Sequence, residues 1–350
     1  LAQRDAMTTS RVLPRLGSRS TLALAGTLLG WSAVRRWSRF DLRGKNALVT
    51  GGARGLGLEI ARVLVAKGAN VAIVARDVDE IARAVADLRR GRADTAICVV
   101  GEPCDLRDGA AIDGMLDRVR TRLGPIDVLV NNAGLIQVGP LDAMTLDDFD
   151  EAMKLHCFAP LRTMLGVRDD MRARGGGRIA NIASIGGLVS VPHLLPYSAS
   201  KFALVGLSQG MRSEFARDRI GVSTIMPGLM RTGSPRHARF KGDKEKEYAW
   251  FAISDSLPLI TVSSARAARR IVRALEYGEA EVVIGAAAKL AAFARGIVPD
   301  RIADALTLAN ALLPTGSDPS ERPGYESESA LAPSVLTTLT EQAAVRNNEM

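Results

Sequence analysis

Between Asn46 and about Ile284, short runs of branched apolar residues alternate with longer stretches whose apolar positions recur every three or four residues. The short runs are Asn46–Thr50, Val71–Ala75, Ala96–Val100, Ile126–Asn131, Arg178–Ile182, Val222–Met226 and Glu281–Ile284; their length and β-branched content predict strands. The stretches between them predict helices: Ile60, Val63 and Leu64 share one helical face, and Leu204, Leu207, Met211 and Phe215 share another. Strands separated by helices pair in parallel, because each parallel connection must cross over the sheet and a helix is the usual crossover. Val71-Ala72-Ile73-Val74 has no polar side, which fits a strand buried on both faces. The pattern predicts an α/β chain: a doubly wound, mostly parallel seven-stranded sheet with helices on both faces. Its ligands should bind beyond the carboxyl ends of the strands.

The pattern changes at both ends. Thr21 to Val34 is an apolar stretch of fourteen residues, short of the roughly 20 that cross a bilayer as a helix. Arg35 and Arg36 follow it directly, which disfavours a cleaved secretory signal. Trp31, Trp37 and Phe40 stand with the arginines at its far edge. Residues 21–40 therefore carry the signature of an apolar helix at a membrane surface; a helix docked on the protein itself would carry it too. Beyond the last strand, Leu290, Phe293 and Ile297, and after Pro299 also Ile302, Leu306, Ala309 and Leu313, predict two C-terminal amphipathic helices. From Thr315 onward, prolines, serines and glutamates predict a disordered acidic tail. The divisions are a basic, apolar N-terminal extension 1–40, the alternating strand–helix domain 41–285, a helical extension 286–314 and the tail 315–350.

Composition narrows the function. With 47% apolar and 24% charged residues in 350, the chain can bury a large core. Its 33 glycines show no three-residue period, and 4% aromatics do not favour an aromatic-rich sandwich. The net charge of +8 divides into +6 over residues 1–40, −4 over 315–350 and +6 between them. No recognition motif or aromatic platform accompanies it, so nucleic acid is not an expected partner. Cys98, Cys104 and Cys157 are too few and too irregularly spaced for a disulfide framework or a zinc site. They read as buried, inert thiols in the reducing cytoplasm, with no metal expected.

The first strand ends in Thr50-Gly51-Gly52-Ala53-Arg54-Gly55-Leu56-Gly57 and runs straight into a helix. Glycines there permit a tight turn and close backbone approach to a pyrophosphate, and the helix start offers free N–H groups and positive potential. This is the dinucleotide site of a Rossmann sheet. The second strand ends in Ala75-Arg76, where an acidic residue would select NAD and arginine suits a 2′-phosphate. Arg76, with Arg54 as a second clamp, favours NADP(H) over NAD(H), although Asp77 follows.

Over residues 42 to 285 the chain resembles the short-chain dehydrogenase/reductase family, in the branch whose glycine loop reads Thr-Gly-x3-Gly-x-Gly. Thr50, Gly51, Gly55 and Gly57 match that loop. Asp105, followed by Leu106, matches the adenine-holding position after the third strand, and Asn132-Ala133-Gly134 the stretch after the fourth. Ser184 follows the fifth strand, Tyr197 and Lys201 form the Tyr-x3-Lys pair, and Pro227-Gly228 with Thr232 matches the nicotinamide-contacting segment. The resemblance implies a homodimer or homotetramer acting on a small-molecule carbonyl or alcohol. It also implies an asparagine where this chain reads Leu155-His156-Cys157-Phe158-Ala159. His156 stands at that place and would hold a relay water, titrate near neutral pH, or only pack.

Tyr197 and Lys201 lie one helical turn apart and project from one face. Bringing a tyrosine from its ordinary pKa of about 10 to near 7 requires about 4 kcal/mol of preferential phenolate stabilisation. A nearby ammonium and a positive nicotinamide are the sources to hand. Tyr197 would be the general acid in carbonyl reduction and the general base in alcohol oxidation; Lys201 would hold the ribose and depress the tyrosine, and Ser184 would orient the reacting oxygen. His193 would edge the pocket or lie in a surface loop. Arg231 to Lys246, with His237, would form a basic lid that is solvated or meets an acidic group. An NADPH-dependent oxidoreductase follows, on a lipophilic substrate if the apolar ends are a guide. The alternative is a dinucleotide-binding scaffold or redox sensor that has lost turnover.

Overall fold

A computed structural model describes residues 39–350 apart from 91–96, 258–259, 330–331 and 335–336. The expected N-terminal apolar helix and membrane-surface segment lie outside the described residues, except for their edge. That edge belongs to the body: the Phe40 N–H donates to the Glu276 carbonyl at 2.8 Å, and the Arg178 guanidinium lies 4.7 Å from its ring centroid. No helix among the described residues is long and apolar enough to cross a membrane.

The seven strands are β1 (Asn46–Thr50), β2 (Asn70–Ala75), β3 (Val99–Pro103), β4 (Val128–Asn131), β5 (Gly177–Ile182), β6 (Ile220–Pro227) and β7 (Glu281–Ile284). They form one sheet in the order β7-β6-β5-β4-β1-β2-β3, parallel throughout. The order reverses between β1 and β4, so the loops leaving these two strands diverge and open a crevice. Alternate strand residues feed two cores. Ala47, Val49, Val71 and Ile73 face α1 (Gly55–Ala66), α2 (Val78–Arg89) and, further along the chain, the helix Ser264–Tyr277. Leu48, Ala72 and Val74 face α3 (Gly109–Leu123) and the helix Ala159–Ala173. Burial on both sides is why these strands read as continuous apolar runs.

After β4 the chain forms α4 (Leu146–Met153), a single π-helical turn (Lys154–Phe158) and α5 (Ala159–Ala173). After β5 comes α6 (Leu195–Glu214), the long helix behind the reactive residues. The segment after β6 contributes α7 (Lys244–Ser256) and α8 (Ser264–Tyr277). Both expected C-terminal helices are present as α9 (Ala286–Ile297) and α10 (Pro299–Asn310). On α9 the apolar stripe is not core, with Leu290 68%, Phe293 66% and Ile297 61% exposed, whereas on α10 Ile302 and Leu306 are half-buried.

Three expectations need correction. The third strand lies later than the Ala96–Val100 run, because Val99 pairs with Val71 and Glu102 with Val74; Cys98 instead gives its N–H to the Asn70 side chain at 2.9 Å. The cysteines differ from one another: Cys98 is exposed, Cys104 buried and Cys157 half-buried. The acidic tail is structured where described. Arg322–Pro323 pairs antiparallel with Arg239–Phe240, and α11 (Thr338–Arg346) packs near the cleft. The tail's carboxylates reach cations of the basic lid stretch: Asp318 on Lys244, Glu321 on Arg239, and Glu328 and Glu341 on Arg236. Composition alone judged this segment without its counter-charges.

Candidate active site

A cleft of about 670 Å³ opens at the carboxyl ends of the strands, running from the end of β2 to Tyr197. Its phosphate end is built by the glycine loop. Gly51 and Gly55 hold φ of +62° and +56°, the left-handed region that favours glycine. A Cβ on Gly57 would stand 2.0 Å from the Gly51 carbonyl oxygen, so only glycine lets the helix start close against the loop. The Thr50 hydroxyl accepts the N–H groups of Asn132 and Ala133 at 3.0 and 3.1 Å. The Asn132 amide donates to the Thr50 and Gly51 carbonyls, both at 3.1 Å. Thr50 and Asn132 thus tie together the loops that diverge at the switch point. Gly51, Gly55, Leu56, Ala133 and Gly134 line the cleft; Thr50 and Gly57 act from behind its wall.

At the far end, Arg76, Asp105 and Leu106 line the cleft. Asp77 lines it too, but its carboxylate is engaged: it accepts the Glu80 N–H at 2.8 Å, capping α2, and this bond holds it below the usual carboxylate range. Arg54 donates to Glu80 at 2.8 Å and lies 3.2 Å from His237 Nδ1. The Arg107 guanidinium grips Asp105 through both carboxylate oxygens and holds its pKa down.

Ser184, Tyr197 and Lys201 come together on the wall nearest Pro227 and Gly228. The Ser184 oxygen accepts the Gly186 N–H at 3.0 Å, in a turn that Gly186 keeps open: a Cβ there would meet Tyr197 at 3.3 Å. Lys201 is buried and donates to the Ile182 carbonyl at 2.8 Å, with its nitrogen 5.6 Å from the Tyr197 ring centroid. Burial pushes the Tyr197 hydroxyl up to about 12; the nearby Ser184 hydroxyl opposes this, and the Asp255 carboxylate adds to it. Burial brings Lys201 down to about 7. With the Lys201 amine facing the Ile182 carbonyl and itself poorly solvated, burial outweighs any lowering of the tyrosine by the chain alone. The arrangement holds a neutral phenol, ready to donate a proton.

His156 lies behind this wall. It sits in the π-helical turn, a geometry often found at functional sites, and is fully buried with its ring edge-on to Tyr197 at 5.5 Å. Its Nε2 accepts the Leu135 N–H at 3.1 Å, so the proton resides on Nδ1 and is donated to the Ser200 oxygen at 2.7 Å. Ser200 in turn donates to the Tyr197 carbonyl at 2.8 Å. Burial, with the Lys201 charge adding, drives His156 well below its usual range. Titration near neutral pH is overturned: both ring nitrogens are committed, and the imidazole links the loop after β4 to the helix that carries Tyr197. Thr232 is likewise behind the wall, its hydroxyl 2.7 Å from Ser234.

His193 is neither a surface nor a pocket residue. It is buried, with φ of +62°, and bonded to Glu247 at 2.7 Å. Arg236, Arg239, Lys241 and Lys244 are paired within the chain; Lys241, for example, is buried on Asp148 at 2.7 Å. Sequence reasoning missed Ser200, adjacent to Lys201 in the chain. It also missed Glu349, which lines the phosphate end of the cleft. The opposite charges of tail and lid were the available signal for the latter.

The short chain dehydrogenase family model matches residues 45–241. D-threitol dehydrogenase of Mycolicibacterium smegmatis is 34% identical over 193 residues, covering 55% of this chain and 73% of that protein. Oxidoreductase UcpA of Escherichia coli K12 is 32% identical over 240 residues, covering 68% and 86%. Among solved structures, L-sorbose reductase from Gluconobacter frateurii, complexed with NADPH and L-sorbose, superposes with a TM-score of 0.62 at 26% identity, covering 70% of this chain and 97% of that one. With the sheet order, the glycine loop and the Ser184, Tyr197 and Lys201 cluster in agreement, the chain belongs to the short-chain dehydrogenase family of oxidoreductases.

Proposed function

We propose that this chain is an NADP(H)-preferring oxidoreductase that interconverts a carbonyl and a secondary alcohol, with Tyr197 as its acid and base. The observation that carries the reading is the Tyr197 phenol on the cleft wall, beside Ser184 and backed by Lys201. A nicotinamide bound against Pro227 and Gly228 would supply or accept hydride. Ser184 would hold the substrate oxygen, and Tyr197 would deliver its proton to that oxygen on reduction and retrieve it on oxidation. Lys201, close to its midpoint at neutral pH, would hold the ribose hydroxyls and offset the charge left on the phenolate. His156 would position Tyr197 through Ser200.

The NADP(H) preference is supported by Arg76 at the end of β2, close enough to help hold down the Asp105 carboxylate, and by the commitment of Asp77 to its helix cap. Arg54 would first have to leave Glu80. Leu135, Ile136, Leu155 and Met230 line the cleft and support a substrate with an apolar body. The names of the threitol and sorbose enzymes support a small polyol or sugar instead. Cytoplasmic location at the inner face of a membrane through residues 21–40, and assembly as a dimer or tetramer, complete the reading. They rest on the N-terminal pattern and on the exposed stripe of α9.

The test is an NADPH and NADH oxidation screen on purified protein, with ketones graded by chain length and ring count beside ketoses. Turnover with NADPH that rises with apolar size is the expected result. Turnover confined to ketoses removes the apolar-substrate reading, and dinucleotide binding without turnover on any carbonyl replaces the enzyme with the scaffold or sensor.

A further inference from the structure

Helix α11 delivers Asn347, Asn348 and Glu349 into the phosphate end of the cleft. The Asn347 carbonyl accepts the Gly55 N–H at 2.9 Å. That N–H begins α1, and such helix starts are where anions bind. The Asn348 amide donates to the carbonyls of Ala53 and Glu80 at 2.9 and 3.1 Å, and its oxygen accepts from Arg83 at 2.8 Å. Glu349 is buried. One carboxylate oxygen accepts the Gly233 N–H at 2.6 Å; the other lies 2.9 Å from where a Cβ on Gly55 would stand. The room that a side-chain-free Gly55 leaves for a phosphate is thus occupied by a carboxylate of the same chain. Two anions cannot share that space.

We propose that Asn347–Glu349 is an intramolecular competitor for the phosphates of the dinucleotide, so that cofactor binding must lift this segment off the glycine loop. The proposal rests on the dinucleotide reading of the cleft. The hold is of a kind that can be released. Burial pushes the Glu349 carboxyl up to about 7, against the Gly233 hydrogen bond and the Arg54 charge and with Glu80 adding to it, so the docked carboxylate is under-solvated. Behind it, the pairs of Arg236 with Glu328 and Glu341 are long, at 3.4 and 3.2 Å, and partly exposed; such pairs are individually weak. The tail and the lid are joined by these pairs, so lifting one would loosen the other and couple cofactor entry to opening over the substrate.

Two measurements on the full chain test this. Hydrogen–deuterium exchange with and without saturating NADPH should show faster exchange across Thr338–Glu349 in the complex. NADPH titration followed by fluorescence should show Glu349→Ala and the Asn348→Ala, Glu349→Ala pair binding about tenfold more tightly than wild type, because the binding-competent fraction rises. Slower or unchanged exchange in wild type, or equal or weaker binding by both variants, overturns the competitor and makes the segment part of the loaded site or inert. If neither wild type nor variants bind NADPH or NADH, the dinucleotide reading fails with it.

Discussion

Lys201 and Gly55 stand at opposite ends of one cleft, and the chain satisfies the polar group of each in a different way. The Lys201 ammonium is met by the Ile182 carbonyl, and Tyr197 is braced through Ser200 and His156 to the loop after β4. These partners sit on the sheet and on the helices packed against it, in positions that do not depend on a ligand. The Gly55 N–H is met by Asn347, on a late segment that is held to the body by side-chain bonds involving Arg62, Arg83, Ser264 and Asn348 and by ion pairs. The reactive end is built into the fold, and the phosphate end is closed by a part that can be exchanged. Specificity of timing would then reside with the cofactor, and chemical competence with the core.

Substitutions sharpen this contrast. Tyr197→Phe should lower kcat by about 10³-fold while changing the NADPH dissociation constant far less, since Tyr197 is one cofactor contact among many; steady-state kinetics with a binding titration separates the two. Lys201→Met should lower kcat about 10²-fold and yet raise thermal stability by about 1–2 kcal/mol below neutral pH. The sign follows from the lowered lysine value: between about 7 and the ordinary lysine range the unfolded chain binds the extra proton, so wild type gains stability as pH rises. The advantage of Met should shrink over that window in melts recorded across it.

At the cofactor end, Arg76→Ala should weaken NADPH about tenfold or more and leave NADH nearly unchanged; equal weakening of both would remove the 2′-phosphate role. His156→Ala should cost about 1–3 kcal/mol, because it strands the Leu135 N–H, and should lower kcat more than it changes KM. His156 also fixes an acid limit. Its value is lowered, so the stability tied to its neutral form is present above the ordinary histidine range and is lost as pH falls. His156→Asn should flatten that limb of a pH-melting profile.

Much of this molecule was legible in its sequence, for identifiable reasons. The sheet could be read because its central strands β1, β2 and β4 are near-continuous apolar runs. The glycine loop could be read because Gly57 leaves no room for a side chain, and the reactive pair because four residues make one helical turn. β3 was misplaced because the apolar run Ile97-Cys98 leads into a strand whose register is set by Val71 and its neighbours. His156 could be located, but its tautomer depends on Leu135 and Ser200, one in a loop and the other on a distant helix. The tail was misjudged because disorder was argued from its own residues. Its order comes from Arg236, Arg239 and Lys244, 74 to 105 positions away in the chain.

The central claim is that this cleft carries out hydride transfer to a carbonyl with the proton coming from Tyr197. The direct measurement is a single-turnover reaction of NADPH fully deuterated at nicotinamide C4 with a ketone that the protein accepts, followed by mass analysis of the alcohol. Deuterium on the carbinol carbon with wild type, and its loss at matched times with Tyr197→Phe, is the predicted result. An alcohol without deuterium, or equal transfer by Tyr197→Phe, would contradict it.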